Sequence, residues 1–416
     1  MHHVLGFECV DCSRRHRPGE LEYVCPACQG NLDVVYDYER IAAGFSRSTL
    51  LGDRNRTIWR YRALLPIETA SIPPPLTVGW TPIYTSRPLA DQFGVRELLI
   101  KDDGRNPTAS FKDRPSALAV VKAQEARTRT VTTASSGNAG VALAAMCASV
   151  GMQSVVFVPA SAPLPKITQL QVFGATVILV EGSYDDAYEL CLQAGRDFGW
   201  YQRSTGYNPF MTEGKKTAAF EICEQLDWDV PDKVIVAVGD GCIIGGLWKG
   251  FREMRQLNLV DRLPEMIGVQ SERARAIVDA SNGDGVVRER PAQSIADSIN
   301  VGKPRDARKA LIAIKESGGR AIAVPDQSIL SSIGQLARAT GVFVEPAAAA
   351  AFAGFTAMCE SGAIRPDERV LLMLTGNGLK DVESAARVLP PCIRVRPQSS
   401  DLTEALLAAG FVKATP

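Results

Sequence analysis

The stretch "KVIVAVGDGCIIGGLWKGF", residues 233–251, holds three textures in immediate succession. A β-branched run with no polar alternation comes first, then a loop dense in glycine, then a segment with helical spacing. A strand that is apolar on both faces belongs inside a sheet covered on both sides, and such a sheet is parallel. Similar runs recur at "ELLIK" (97–101), "TVTTAS" (130–135), "SVVFVP" (154–159), "TVILVE" (176–181), "MIGVQ" (266–270), "AIAVP" (321–325) and "VLLMLT" (370–375), each separated from the next by helical sequence. This alternation predicts an α/β fold with open, mainly parallel sheets, and such sheets take ligands at the carboxyl ends of their strands. A chain of 416 residues is long enough for two packed units.

The loops that follow the strands therefore carry the functional question. In "GDGCIIGG" the glycines at 239, 241, 245 and 246 let the backbone approach a phosphate closely, and the helix behind adds its positive end. The spacing fits neither a Walker loop nor a dinucleotide fingerprint. "ASSGNAG" (134–140) opens another helix with small and polar residues, which suits an anion such as a carboxylate and suits a tightly packed helix start equally well. Thr375 ends a strand just before "GNGLKD". Lys112, in "PTASFKDRPSALAVVKA" (107–123), stands at the start of an amphipathic helix. A lysine whose amine is desolvated becomes a nucleophile toward carbonyls. One such lysine, a phosphate cup, an anion loop and a lone hydroxyl together match the requirements of pyridoxal 5'-phosphate and an amino-acid substrate.

Composition narrows the partner. Forty-six basic residues balance forty-six acidic ones, and 46% of residues are hydrophobic without a bilayer-length apolar run, so neither nucleic acid nor membrane is expected. The start lacks the apolar core of a secretory signal, and the ten cysteines are not spaced as a disulfide framework, which points to a reducing, cytoplasmic setting. Cys9, Cys12, Cys25 and Cys28 form two C-x2-C knuckles, the arrangement of a structural Zn2+ site; the alternative is a ribbon of merely reduced thiols. Cys147, Cys191, Cys223, Cys359 and Cys392 read as core or surface thiols, and Cys242 falls in the glycine loop. His2, His3 and His16 all precede the α/β body, and Arg114 beside Asp113 reads as an ion pair at the helix start.

Beyond these residue-level readings, the chain resembles the fold-type II pyridoxal-phosphate enzymes (tryptophan synthase β-like architecture), and within them the threonine synthase family. The resemblance runs through "GWTPIYTS" (79–86), "NPTASFKDR" (106–114), "ASSGNAG" (134–140), "NPFMTEGKKTAAFEI" (208–222), "GDGCIIGGLWKGF" (239–251), "SIADSINVGKP" (294–304), "EPAAAAAFAG" (345–354) and "TGNGLKD" (375–381). It implies that Lys112 forms the Schiff base and shuttles protons, with Phe111 before it. Asn138 would meet the cofactor's ring hydroxyl, and Ser135, Ser136, Gly137 and Ala139 the substrate carboxylate. Backbone amides of Gly239, Asp240, Gly241, Cys242 and Ile243 would hold the cofactor phosphate, and Thr375 would face the pyridine nitrogen. Asp297 and Glu345 lie in segments that approach the cofactor in relatives.

The domain division implied is a zinc-ribbon-like segment (1–35), a large cofactor domain (36–124 and 206–390), a small α/β domain carrying the Asn138 loop (125–205) and a tail (391–416). A homodimer is implied as well. The expected reaction converts O-phospho-L-homoserine and water to L-threonine and phosphate; a serine/threonine dehydratase-type lyase or a β-replacement enzyme resembling cysteate synthase is the alternative. A catalytically dead zinc-ribbon interaction protein would form no Schiff base. The sequence departs from the family at Met211, where an arginine able to contact substrate phosphate is usual, and at Ala109 and Pro115, where glycines are usual. Lys215 and Arg203 are the nearby cations.

Overall fold

The computed structural model describes residues 3–19 and 23–411, so His2 and the tail beyond 411 lie outside the described residues. Three strands come first in the chain: β1 (Val4–Cys9), β2 (Arg15–His16) and β3 (Leu32–Tyr36). They form an antiparallel ribbon in the order β2-β1-β3. Next come β4 (Ile83–Thr85), β5 (Glu97–Asp102), β6 (Thr130–Ala134), β7 (Gln153–Pro159), β8 (Thr176–Val180) and β9 (Tyr201–Gln202). The last are β10 (Lys233–Ala237), β11 (Glu265–Ser271), β12 (Arg320–Val324) and β13 (Arg369–Leu374). A six-stranded sheet has the order β12-β11-β10-β13-β5-β4, and a four-stranded sheet the order β8-β7-β6-β9. All pairings in the smaller sheet are parallel; in the larger one only β4, at the edge, runs antiparallel.

The apolar runs behave as the sequence predicts. In β10, Val234 and Val236 enter one hydrophobic core while Ile235 and Ala237 enter the other, so the period-two alternation of a strand feeds two buried faces. β13 repeats the pattern, with Leu371 and Met373 on one side and Val370, Leu372 and Leu374 on the other. β8 is the exception. It is an edge strand, and Ile178 and Leu179 are exposed rather than covered. Phe7, Val34 and Tyr36 of the ribbon join the same core as the helix Phe210–Gln225, and Phe7 packs edge-on against Phe210. β4 and β9 are too short, at three and two residues, to show periodicity in the sequence.

One local expectation fails. Arg114 does not pair with Asp113. Helical geometry points the two side chains apart, and the Arg114 guanidinium reaches Asp103 (2.6 Å) and Glu221 (2.6 Å), all fully buried, while Asp113 accepts from the Thr108 hydroxyl (2.7 Å).

Candidate active site

The strand ends of both sheets face one cavity of about 840 Å³. Lys112 reaches its wall because the chain before it is tied to the end of β13. The Phe111 amide donates to the Thr375 carbonyl (2.9 Å) and the Asn377 amide to the Ala109 carbonyl (3.0 Å). The helix Asp113–Glu125 then begins one residue after the lysine, and Pro115 sits in its first turn, where its missing N–H is an orphan in any case. Burial lowers the Lys112 pKa, with the Glu345 carboxylate partly opposing that effect. Among the described residues its amine has no ion-pair partner.

Ser135, Ser136, Gly137, Asn138 and Ala139 line the same cavity, and so do Gly239, Asp240, Gly241, Cys242, Ile243 and Thr375. The first group leads into the helix Asn138–Ser149, the second into Cys242–Gln256, so two helix N-termini point at one space. Gly241 has φ +95°, and a Cβ there would lie 2.7 Å from the Asp306 carbonyl oxygen; only glycine lets the loop turn this tightly against its neighbour. Cys242, the first helical residue, is buried, and that burial raises its thiol pKa. The Asn138 amide donates to both Glu345 oxygens (2.9 and 3.0 Å). Burial raises the pKa of Glu345. Asp297 lines the cavity mouth, paired with Lys166 (2.7 Å).

Phe111 is placed differently from its neighbour. Its ring is fully buried outside the cavity wall, with the Arg114 guanidinium 5.6 Å from its centroid. Met211 is also absent from the wall and packs in the core at 1% exposure. Of the two cations near it in sequence, Lys215 is buried with its amine donating to the Met211 carbonyl (3.1 Å), while Arg203 lines the cavity. The sequence reading also passed over Tyr184, Tyr188 and Arg305, which close one side. The i, i+4 spacing of the two tyrosines behind the Ser183 capping box was the signal available for them.

At the other end of the ribbon, the Sγ atoms of Cys9, Cys12, Cys25 and Cys28 all lie within 4.8 Å of one another, with Cys9–Cys28 at 3.5 Å and Cys12–Cys25 at 3.7 Å. Four sulfurs at the corners of a tetrahedron with bonds of about 2.3 Å stand about 3.8 Å apart, so the cluster has the dimensions of a zinc site.

Residues 75–376 match the family model described as pyridoxal-phosphate dependent enzyme. The chain is 40% identical to the threonine synthase of Methanocaldococcus jannaschii over 390 residues, which covers 93% of this chain and 96% of that one. It is 39% identical to the threonine synthase of Methanosarcina acetivorans over 393 residues, covering 93% and 94%. Among solved structures, diaminopropionate ammonia lyase from Escherichia coli superposes with a TM-score of 0.66 at 20% identity, covering 83% of this chain and 92% of that chain, a likeness of fold alone. With a lysine, a small-residue loop, a glycine cup and a strand-end threonine facing one cavity, and relatives aligned along nearly the whole length, the chain belongs to the pyridoxal-phosphate dependent enzymes and, within them, to the threonine synthase family.

Proposed function

We propose that this protein is a pyridoxal-phosphate-dependent lyase of threonine synthase type, converting O-phospho-L-homoserine and water to L-threonine and phosphate. The observation that carries the reading is the gathering of Lys112, the 135–139 loop, the 239–243 loop and Thr375 around a single cavity. Pyridoxal phosphate fits what those residues offer: a buried amine, without an ion-pair partner among the described residues, for its aldehyde, a glycine cup at a helix N-terminus for its phosphate, and a strand-end hydroxyl for its ring nitrogen. Asn138 is assigned to the ring hydroxyl, and Ser135, Ser136, Gly137 and Ala139 to the substrate carboxylate. Bound there, the cofactor supplies the electron sink that lets protons leave carbon. Lys112 is the general acid/base. Its lowered pKa favours the neutral amine, which takes protons from Cα and Cβ, returns one to Cγ once phosphate has left, takes one from the water whose OH adds at Cβ, and returns one to Cα.

A second reading, a lyase that deaminates serine or threonine, draws support from Met211. Its side chain packs in the core and offers no receptor for a substrate phosphate, which a deaminating lyase does not need. Product identity separates the two. Phosphate and threonine in equal amounts from O-phospho-L-homoserine support the first; ammonia and a 2-oxo acid from threonine, with no phosphate released from phosphohomoserine, replace it with the second. Lys112→Ala is expected to lower turnover by about 10²–10⁴-fold in either case and to abolish borohydride trapping of the cofactor on the chain. We also propose structural zinc on Cys9, Cys12, Cys25 and Cys28, and a cytoplasmic homodimer on the family resemblance, checked by metal analysis and light scattering. Among the described residues no helix is long and apolar enough to cross a membrane.

A further inference from the structure

Arg203 is among the largest side chains that the fold buries completely, at 1% exposure. It follows β9, where its backbone amide donates to the Thr132 carbonyl (2.8 Å), and its side chain runs to the cavity wall. Two of its nitrogens are held: Nε donates to the Ser116 hydroxyl (3.2 Å) and Nη1 to the Thr205 hydroxyl (3.1 Å). The third, Nη2, is buried and has no hydrogen-bond partner among the described residues. None of the carboxylates described lies within ion-pair distance, although the fold pairs another fully buried arginine, Arg114, with two. A buried cation without a counter-charge costs several kcal/mol. A guanidinium anchored by two neutral hydroxyls and left open on one edge is therefore set up for an anion that arrives from outside the protein. The cavity it faces already carries the glycine cup and two helix N-termini, so the added charge strengthens a field that favours dianions.

We propose that Arg203 is the receptor for a phosphate monoester in this cavity and sets the enzyme's preference for phosphorylated ligands. The proposal rests on the functional reading above and supplies the cation that Met211 does not. Two phosphates fit that chemistry, the cofactor's own and the leaving phosphate of the substrate. The planar fork accepts either in bidentate fashion, and Ser116 and Thr205 fix its orientation.

The test is titration of the protein with inorganic phosphate, with and without bound pyridoxal phosphate, followed by thermal unfolding, for the wild-type chain, Arg203→Met and Arg203→Lys. Methionine has similar length and no charge, and removing an uncompensated buried cation does not by itself unfold the chain. Phosphate raises the wild-type melting temperature. Arg203→Met weakens phosphate binding by about tenfold or more, the value of a hydrogen bond to a charged group, and Arg203→Lys, which keeps the charge and loses the fork, falls between. A response confined to the cofactor-free protein and abolished by pyridoxal phosphate assigns Arg203 to the cofactor's phosphate. A response that persists in the holoenzyme assigns it to the substrate's. If wild-type protein binds no phosphate in either form, or if Arg203→Met binds it within about twofold of wild type in both, the proposal is overturned. Should Arg203→Met not fold, Arg203→Lys decides, since an affinity equal to wild type leaves the fork without a role. None of these readings depends on turnover, so absence of threonine formation would count against the functional reading alone.

Discussion

Ala109 carries φ +60°, a left-handed conformation that costs a residue with a side chain about 1–2 kcal/mol. The kink is what turns the chain so that its carbonyl meets Asn377 and Lys112 is handed to the end of β13. Ala109→Gly relieves the strain while giving the unfolded chain more freedom, so a net stabilisation of roughly 0.5–1 kcal/mol is expected, read as a higher urea midpoint. Lys215 gives a pH signature. Burial holds its pKa at about 8, below the ordinary 10.5. Below about pH 8 folded and unfolded chains both carry the proton, and the buried charge costs the native state about 3 kcal/mol. Between those two values the unfolded chain binds more protons, so stability rises with pH and the cost fades. Lys215→Met in cofactor-free protein is therefore expected to stabilise by up to about 3 kcal/mol near pH 7 and by little above about pH 10. Equal effects at both pH values would refute the assignment. The sequence marks Asn138 and Thr375 by loops at strand ends and Lys112 by its place at a helix start in a family motif. Arg203 was legible only as a nearby charge, since what distinguishes it is a missing partner, and partners are set by the fold.

At the scale of elements, the helix that begins just after Lys112 is fixed by a buried ion cluster that no local pattern announces. Lys101 on β5, Asp103, Arg114 and Glu221 on the helix Phe210–Gln225 form two cations and two anions, every side chain fully buried. Arg114 alone makes hydrogen bonds of 2.6 and 2.8 Å to Asp103 and of 2.6 and 2.8 Å to Glu221. Removing one member leaves a cation without its counter-charge, so Glu221→Gln is expected to cost about 3–5 kcal/mol, measured by urea unfolding; a cost under about 1 kcal/mol would mean that the cluster does not hold the two helices. The contrast with the strands explains what sequence reveals. An apolar run of five or six residues states its own environment, and each of the eight runs became a strand. Arg114 has a carboxylate beside it in sequence, yet its partners are 11 and 107 residues away, a distance that only the packing of β5 and two helices closes. The composition of β8 matches that of a covered central strand, and only the sheet order shows that it lies at the edge.

Across the whole molecule, the N-terminal ribbon is wired to the glycine cup. Asn31, three residues past Cys28, donates to the Arg305 carbonyl (2.7 Å) and to the Asp306 carboxylate (2.9 Å). The Arg305 amide donates to the Asp240 carboxylate (3.1 Å) and the Asp306 amide to the Asp240 carbonyl (3.0 Å), inside the loop assigned to the cofactor phosphate. Gly241 is packed so tightly on the Asp306 carbonyl that the loop cannot shift without moving this segment. Lys309 adds a second tie, donating to the Leu32 carbonyl (3.1 Å) and pairing with Asp33 (2.9 Å). Zinc in the cysteine cluster would therefore order not only the ribbon but the rim that presses on the cup. Stripping the metal with a chelator, or replacing Cys25 by Ser, is expected to weaken pyridoxal phosphate binding by about three- to tenfold, the worth of one or two hydrogen bonds. Asn31→Ala separates coupling from unfolding. It removes both contacts and leaves the cysteines in place, so the metal content should stay unchanged while cofactor affinity falls by a similar factor. Affinity is read by cofactor fluorescence and zinc by atomic absorption. If Asn31→Ala keeps full affinity while metal removal abolishes it, the ribbon acts through global stability and the path through Asp306 is not the connection.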